Sequence, residues 1–505
     1  METMSINREI AKSATWTVSM RLANRGIGFL STLILARLLV PDDFGLVAIA
    51  TAFVSLVELV NAYSLHIYLV QKKDLADEDL NTAWTFQAMI CTFQAVLLMA
   101  LGVPISRFYG NSNLVPIILA LAGSLLIAGF KNIGVMYFQR DMRFQIEFIL
   151  VNGSKLFSFF VTVGLAFILE NYWALVVGII ANRSAELVLS FILHPYRPKF
   201  QLSAFKKLVS FSKWIYFDNL LVFLGQRGPE LIIGKAAGEN TLGLFSVGYD
   251  IAMLPTSEMI APINRAVFPG YVKMNKIDSV ELQKGYLSVI GVIALIAMPA
   301  AVGIAVTADV LIPLLLGEKW LHAIPIVQVL AVAGGFASLS SNAGAVFLSK
   351  GKPWFLTWIS ALRVVILLPS VWIFIVEVGP VGAAMAYLLT CAVMSIVWFL
   401  ILIRVLNLNV RMIAYQLYRP LIAVTGMYFA VQLVKFFLMP VDATMQIIFA
   451  AAVLILTGFV AFVVVDGSLW LFAGRPLAAE KLVMNLIQGI LSNFMTRMKP
   501  NVTKT

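Results

Sequence analysis

The chain has 505 residues, of which 60% are hydrophobic and only 12% are charged, and its mean hydropathy is +0.91. Soluble domains carry about 25% charged residues, so this composition excludes a soluble globular protein and indicates an integral membrane protein. Apolar runs of roughly 20 residues predict spanning helices, because a helix satisfies its own backbone hydrogen bonds in lipid. The alternating pattern typical of a membrane β-barrel is absent from the sequence.

Fourteen spans are predicted between the polar stretches. The first six are 14–39, 45–70, 82–104, 114–138, 145–169 and 171–194; the others are 209–234, 242–268, 285–316, 322–349, 355–377, 380–404, 417–439 and 443–465. The first contains Arg21, Asn24 and Arg25, which predicts a retained helix rather than a cleaved signal peptide. The run 285–316 contains Pro299 and Pro313, so we expect an interfacial turn within it.

Part of the sequence is repeated. LILARLLVPDDFGL from Leu33 returns 198 residues later as LIIGKAAGENTLGL from Leu231, and Trp16 falls on Trp214 at the same offset. Six spans separate the copies, so both cross the bilayer in the same direction, as in transporters with parallel repeats. We therefore expect an all-α integral membrane protein with about fourteen transmembrane helices, in two pseudo-repeated six-helix lobes around a central cavity plus two C-terminal helices.

The predicted order is an N-lobe at 1–195, an amphipathic cytoplasmic linker at 196–208, a C-lobe at 209–405, spans 13 and 14 at 406–470, and a cytoplasmic amphipathic tail at 471–505. Twenty-four loop bases, Arg419 among them, lie on one side of the membrane and four on the other. This bias predicts that both termini are cytoplasmic. The net charge of +11 is read as a topology signal and not as a nucleic-acid site.

Nine further basic residues lie inside predicted spans, where each costs on the order of 2.5–3.5 kcal/mol unless it faces water or a partner. Lys131 and Lys435 lie near span ends and are expected to snorkel. The other seven are candidates for a cationic substrate-binding cavity: Arg21, Arg25, Lys155, Arg183, Arg227, Arg265 and Arg363. Arg21 and Arg25 share a helix face and have no acid in their own span. Arg matches phosphate geometry, so the cavity predicts a phosphate-bearing or acidic substrate.

Ion pairing is the alternative interpretation of these charges. Arg183 with Glu186 and Arg227 with Glu230 have the spacing to pair within one helix. Three acids are candidates for ion coupling or for a counter-ion role: Glu58, Asp218 and Glu230. The sequence leaves both interpretations open.

Motifs for catalysis, metals and cofactors are missing. Cys91 and Cys391 lie in apolar runs, and the three histidines are isolated, so no metal site or cofactor is expected. GPELIIGKAA from Gly228 has the wrong spacing for a nucleotide-binding loop. No loop between spans exceeds roughly twenty residues, which excludes an ATPase domain and disfavours an enzyme.

Several segments carry a family resemblance. AKSATWTVSMRLANRGIGFL from Ala11, LVQKKDLADEDLNTAWTFQ from Leu69, GYDIAMLPTSEMIAPINRAVFPGY from Gly248 and PLLLGEKWLHAIPIVQVL from Pro313 resemble Wzx-type polysaccharide flippases. These form the polysaccharide transporter branch of the multidrug/oligosaccharidyl-lipid/polysaccharide exporter superfamily, and the chain is most similar to its colanic-acid exporter subgroup.

The resemblance implies a flippase of the bacterial inner membrane. It would move an undecaprenyl-pyrophosphate-linked oligosaccharide repeat unit from the cytoplasmic to the periplasmic leaflet by alternating access. This would serve exopolysaccharide, capsule or O-antigen (lipopolysaccharide) export, with membrane lipids, a polysaccharide polymerase and export machinery as further partners.

Two alternatives stay open. A multidrug or other lipid-linked substrate exporter of the same superfamily predicts an acidic cavity in its drug-exporting form, whereas this cavity is predicted to be basic. A membrane polysaccharide polymerase or ligase predicts a large periplasmic loop with paired catalytic residues, and the sequence shows none.

Overall fold

The computed structural model describes residues 2–59, 69, 76–203, 213–438, 444–474 and 479–481. Regular structure within these ranges is helical, and they contain no β-strand. The α-helices are α1 (Glu2–Leu38), α2 (Pro41–Glu58), α3 (Asp77–Tyr109), α4 (Leu114–Gly129), α5 (Met136–Arg140), α6 (Phe144–Leu169), α7 (Trp173–Leu193), α8 (Lys213–Gln226), α9 (Gly228–Ala252), α10 (Ala261–Ile277), α11 (Ser279–Leu316), α12 (Ile324–Ser340), α13 (Ala343–Ser349), α14 (Trp354–Val378), α15 (Pro380–Val405), α16 (Val410–Leu438) and α17 (Thr444–Phe472).

The chain divides into two compact units. Unit 1 comprises Met1–Val247 and Leu315–Trp320, and unit 2 comprises Gly248–Leu314 and Leu321–Thr505. The division falls within α9 and not at the predicted linker, so the lobe boundaries inferred from the repeat remain a prediction.

Nine helices in the described part of the chain are long and apolar enough to cross a membrane. A tenth span is counted if α4 is joined to the segment Ile133–Arg140, which is bent by 66° relative to it. Among the predicted spans, those on α1, α2 and α9 carry several charged side chains, and α8 and α10 have only 14 and 17 residues, so these spans are not among the nine. They are spans 1, 2, 7 and 8, which the internal repeat relates in pairs. The exact count of fourteen is not confirmed.

Unit 1 is built on packed pairs of helices. α6 packs on α7, α3 on α4, and α1 on α6. The α1–α6 contact includes an edge-to-face pair of Trp16 and Phe148, whose ring centres are 5.3 Å apart. Within the α6–α7 pair, the Ser158 hydroxyl donates to the Gly178 carbonyl at 2.8 Å. Hydrogen bonds of this kind join helices in lipid, where apolar burial does not distinguish a helix neighbour from a lipid tail.

The linker begins as extended chain fixed to unit 1. The backbone N–H groups of Lys199 and Gln201 donate to Asn81 and Thr85 of α3, at 2.9 and 3.0 Å. Tyr196 donates to Asn81 at 2.5 Å, and burial raises the pKa of this phenol to about 12. Of the predicted linker 196–208, residues 204–208 lie outside the described residues, and the part before them is extended rather than helical.

Unit 2 contains the longest helix. α11 has 38 residues and continues through both Pro299 and Pro313, so the predicted interfacial turn is wrong. Pro is tolerated inside a bundled membrane helix because neighbouring groups satisfy the carbonyls it leaves without a donor. A π-helical segment, Pro255–Ile260, joins α9 to α10, and its Thr256 hydroxyl donates to the Gly334 carbonyl of α12 at 3.1 Å.

Asn132 provides a test of this packing. It is fully buried at the bend after α4; its amide N–H₂ donates to the Tyr196 carbonyl at 2.8 Å, and its side-chain oxygen accepts from Gly134 N at 2.9 Å. Asn132→Ala leaves buried backbone groups without partners and should lower the free energy of unfolding by about 2–3 kcal/mol. The measurement is the thermal midpoint in detergent. The exposed Asn113, whose side chain makes no cap hydrogen bond, gives the matched control Asn113→Ala; an equal loss in both variants would contradict the prediction.

Candidate functional site

The two copies of the repeat touch each other at equivalent positions within unit 1. A β-carbon on Gly45 would collide with the Glu239 carbonyl oxygen, and a β-carbon on Gly243 would collide with the Pro41 carbonyl oxygen. The offset of 198 residues relates Gly45 to Gly243 and also Pro41 to Glu239. Each glycine therefore packs on the backbone of the opposite copy, and the two contacts are related by the pseudo-two-fold axis of a parallel repeat.

The same relation holds for polar side chains. The Asn240 amide donates to Asp42 Oδ2 at 2.7 Å, and these residues are 198 positions apart, so equivalent residues meet. α9 breaks at Gly238, with φ 80° and ψ 174°, a left-handed conformation that glycine adopts without strain. The break lies at the repeat equivalent of Val40, between α1 and α2. Both copies thus form a corner, and the corners pack together; we call this the repeat contact.

Basic side chains surround the repeat contact and donate to backbone carbonyls near helix ends. Lys235 Nζ lies 2.5 Å from the Phe108 carbonyl, Lys319 Nζ lies 3.2 Å from the Leu38 carbonyl, and Arg37 Nε lies 3.3 Å from the Leu315 carbonyl. Carbonyls at helix C-termini lack intrahelical donors and carry partial negative charge, which favours cations there. The bases predicted for the less basic membrane side are Arg37, Arg107, Lys235 and Lys319. Three of them, all except Arg107, therefore have carbonyl partners near helix C-termini.

Trp320 fixes the segment Leu315–Trp320 onto α1 and α2. Its side chain is fully buried, its indole N–H donates to the Ala36 carbonyl at 2.7 Å, and its ring meets Phe44 edge to face at 5.3 Å. Asp43 accepts hydrogen bonds from Val40 N at 3.2 Å and from Tyr172 N at 2.9 Å. Burial raises the pKa of the Asp43 carboxyl, while the two backbone hydrogen bonds act in the opposite direction.

Several of the predicted cationic residues are ion-paired in unit 1. Arg183 on α7 donates to Glu58 on α2 at 2.7 Å, and not to Glu186 in its own helix. Glu186 instead pairs with Lys131 at 2.9 Å and also acts electrostatically on Lys155. Three bases thus lie around two carboxylates, which leaves one excess positive charge in this group.

The remaining predicted residues of unit 1 differ in their environments. Arg227 pairs with Glu230 at 2.8 Å, as the ion-pairing alternative requires. Arg21 is exposed and Arg25 is half-buried on α1. Asp218 lies on α8, but its side chain is outside the described residues, so its candidate ion role stays a prediction.

In unit 2, Arg363 lies among hydroxyl groups. Its Nη2 donates to the Tyr387 hydroxyl at 2.8 Å, and that hydroxyl lies 3.0 Å from the hydroxyl of Tyr249. The guanidinium carbon is 5.8 Å from the centre of the Tyr387 ring. Arg265, on α10, is exposed.

A buried charged cluster in unit 2 was missed from the sequence. Arg419 was counted among loop bases, but α16 begins at Val410, so this residue is inside the helix and only 1% exposed. Its partner is Glu480, at 3.0 Å, from the predicted tail; apart from residues 471–474 and 479–481, that tail lies outside the described residues. Asp466 was missed because α17 runs to Phe472, beyond the predicted end of the last span. Asp466 falls one residue beyond the predicted span 443–465, whereas Arg419 lies at the start of the predicted span 417–439 and was counted with the loops.

An all-helical, multi-pass membrane bundle with paired charges and a parallel repeat has the fold of a membrane transporter. The fold is similar to that of the lipid II flippase MurJ in an inward closed conformation, with a TM-score of 0.71 and 12% identity, over 91% of this chain and 100% of that one. Residues 34–325 match the family described as "Polysaccharide biosynthesis protein". The chain belongs to this family.

The chain is also similar to two proteins that are named for polysaccharide biosynthesis. The chain is 22% identical over 426 residues to the lipopolysaccharide biosynthesis protein WzxC of Escherichia coli (strain K12), which covers 83% of this chain and 86% of WzxC. It is 27% identical over 358 residues to the teichuronic acid biosynthesis protein TuaB of Bacillus subtilis (strain 168), which covers 69% of this chain and 73% of TuaB.

The repeat contact provides a second test. Gly45→Ala and Gly243→Ala each place a methyl group against a backbone carbonyl, so each should lower the free energy of unfolding by about 1–3 kcal/mol. Thermal unfolding in detergent measures the change. Gly123→Ala on α4 is the control, because a β-carbon there meets no atom within 4 Å. Stability unchanged in all three variants would contradict the close approach.

Proposed function

We propose that this protein is a flippase for a lipid-linked oligosaccharide. In this proposal it moves an undecaprenyl-pyrophosphate-linked repeat unit from the cytoplasmic to the periplasmic leaflet of the bacterial inner membrane, with both termini in the cytoplasm. The observation that carries the proposal is the family match over residues 34–325 on a transporter fold. The names of WzxC and TuaB support an envelope polysaccharide as the cargo.

The repeat contact is the proposed outer gate. It joins the two copies at one end of their helices, so a headgroup that passes between the copies toward that end requires the contact to separate. The bases near it, including Lys235 and Lys319, belong to the less basic side of the sequence, which favours a periplasmic position. The copies meet through two glycine–backbone contacts, the exposed Asp42–Asn240 hydrogen bond and the packing of Ile49 against Gly234, and in the proposal this contact opens and closes repeatedly.

Arg21 and Arg25 are the proposed contacts for the pyrophosphate. They lie four residues apart on one helix face, and guanidinium groups bind phosphate oxygens through two parallel N–H donors. The excess positive charge around Lys155 and Arg183 would add long-range attraction for an anionic headgroup. Arg227, Arg265 and Arg363 stay candidates for the same role, and Glu58 and Glu230 act as counter-ions for Arg183 and Arg227.

The polyprenyl chain needs an apolar surface during transfer. Unit 2 contains a cavity of about 870 Å³ whose walls, from α11, α16 and α17, are mostly apolar. Transport, and not covalent chemistry, is therefore the proposed activity, with membrane lipids as neighbours and polymerase and export machinery acting on the delivered glycan.

Reconstitution tests the activity directly. The purified chain in proteoliposomes should expose an inner-leaflet fluorescent undecaprenyl-pyrophosphate oligosaccharide to an external quencher faster than protein-free vesicles do. An undecaprenyl-phosphate carrier without glycan and a fluorescent phospholipid serve as substrate controls. Equal rates with and without protein would reject flipping, and equal rates for all three lipids would reject recognition of the glycan-bearing headgroup.

The gate can be tested by cross-linking. Asp42→Cys combined with Asn240→Cys, in a chain with Cys91→Ala and Cys391→Ala, should lose flipping when a short thiol cross-linker joins the pair. A linker cleaved by reductant should restore it after reduction. The two single variants treated in the same way are the controls. Full activity while the pair is cross-linked would show that the repeat contact does not open.

The cationic face makes a separate prediction. Arg21→Ala with Arg25→Ala should abolish flipping while leaving membrane insertion and folding intact, because the change removes the proposed phosphate donors from a partly exposed face. Arg21→Lys with Arg25→Lys retains charge and should keep partial activity, since Lys lacks the planar fork. Full complementation of a flippase-null strain by the double Ala variant would reject this role.

A further inference from the structure

The cavity in unit 2 has one strongly polar region. Most of its lining residues are apolar, including Leu295, Met427 and Phe459. Asp466 near the end of α17 and Glu480 from the segment 479–481 contribute carboxyl groups to the same wall. Burying a charged side chain in such surroundings costs free energy unless an opposite charge lies beside it. The net charge of the groups at this wall therefore determines which ion the cavity wall binds.

Arg419 pairs with one of these acids. Its Nε lies 3.0 Å from Glu480 Oε1, and the Arg419 and Glu480 side chains are 1% and 9% exposed. The guanidinium carbon also lies 5.4 Å from the ring centre of Tyr415 and 5.6 Å from that of Tyr418. This pair joins the segment 479–481 to α16, and Ala479 beside it is buried.

Asp466 has no comparable partner. It is 6% exposed, and its Oδ1 is buried without a hydrogen bond. Glu480 Oε2 is likewise buried without a hydrogen bond. Asp466 makes no hydrogen bond or ion pair with the part of the chain that the structure describes, although the charges of both Glu480 and Arg419 act on it. Among the described residues of this cluster, two carboxylates face one guanidinium, which leaves one negative charge unbalanced in a nearly apolar enclosure.

We propose that Asp466, Glu480 and Arg419 form a binding site for a single proton at the cavity wall. A proton on Asp466 neutralises the excess charge and gives the carboxyl group an O–H donor, with the unpartnered Glu480 Oε2 as the nearest charged acceptor of the cluster. Arg419 and Glu480 then remain a neutral ion pair. This site is independent of the glycan and of the direction of transport.

A proton fits these residues better than a metal ion. No group of three His, Cys, Asp or Glu side chains that could hold a metal occurs among the described residues. Glu258 from the π-helical segment lines the same cavity and adds negative charge, while the neighbouring Lys481 is exposed to solvent. Arg475 lies outside the described residues.

Proton binding should control the segment that carries Glu480. With the proton bound, the Arg419–Glu480 ion pair holds this segment on α16. After the proton leaves, the Asp466 carboxylate repels Glu480 and competes for Arg419, which weakens the attachment. The position of the segment should therefore depend on pH through Asp466.

Infrared difference spectroscopy of the full chain in lipid nanodiscs tests the site. At mildly acidic pH the wild type should show a carbonyl band of a buried protonated carboxyl group, and Asp466→Asn should lack it. Asp309→Asn is the matched control, because Asp309 has a base of its own, Lys435, at 2.5 Å; this variant should keep the band. Absence of the band from the wild type, or its persistence in Asp466→Asn, would overturn the proposal.

A spin label at Lys481→Cys reports the attachment. Its mobility should increase with pH in the wild-type background and stay constant with Asp466→Asn. A titration with sodium chloride at fixed pH, with choline chloride as the control salt, tests whether the bound ion is sodium. Label mobility that depends on the sodium concentration and not on pH would overturn a proton site. Should Asp466→Asn fail to fold, Glu480→Gln with the same label must show high mobility at every pH, and low mobility there would also reject the attachment.

Discussion

A charge inside an apolar helix bundle needs a partner, and this requirement determines much of the arrangement of the protein. An unpaired ion in hydrocarbon costs several kcal/mol, whereas a well-placed pair recovers most of that cost. Arg183 with Glu58 and Lys435 with Asp309 join different helices, and Lys131 joins the bend after α4 to Glu186 of α7. Each pair therefore specifies which helices are neighbours, a choice that apolar packing against lipid leaves undetermined.

The same requirement distinguishes charges proposed to bind substrate from charges that hold helices together. α1 carries Arg21 and Arg25 in a helix whose hydropathy is below that of the apolar spans, and α2, α9 and α10 share this property. Lys131, Arg183, Arg227, Arg419 and Lys435 have carboxylate partners and contribute to packing. The helices of low hydropathy are those that the repeat relates to each other, and two of their corners meet in the repeat contact. In unit 1, charge and internal symmetry thus coincide on α1, α2 and the part of α9 that forms the repeat contact.

The sequence predicted the spans well because each is an apolar run that a helix must satisfy internally. The repeat could be seen in the sequence because its two copies share residues such as Gly45 and Gly243. At both positions a side chain would collide with backbone, so glycine is required. The sequence could not predict that Arg183 pairs with Glu58, 125 residues away. Helical periodicity predicts contacts only between residues three or four positions apart in one helix. Asp466 was missed because a shift of a few residues at a helix end moves a residue from loop to bundle, and Arg419 was missed because a position near the start of its predicted span was counted with the loops.

The repeat contact also indicates how such a chain could arise. Equivalent residues of two copies facing each other, with residue i of one against residue i of the other, define the isologous interface of a two-fold homodimer. Fusion of two such subunits would preserve the glycines, which the backbone approach demands, and would free other positions to diverge. The pairing of an aspartate with an asparagine at Asp42 and Asn240 is an outcome of that freedom, because two identical carboxylates would repel where these two groups share a hydrogen bond.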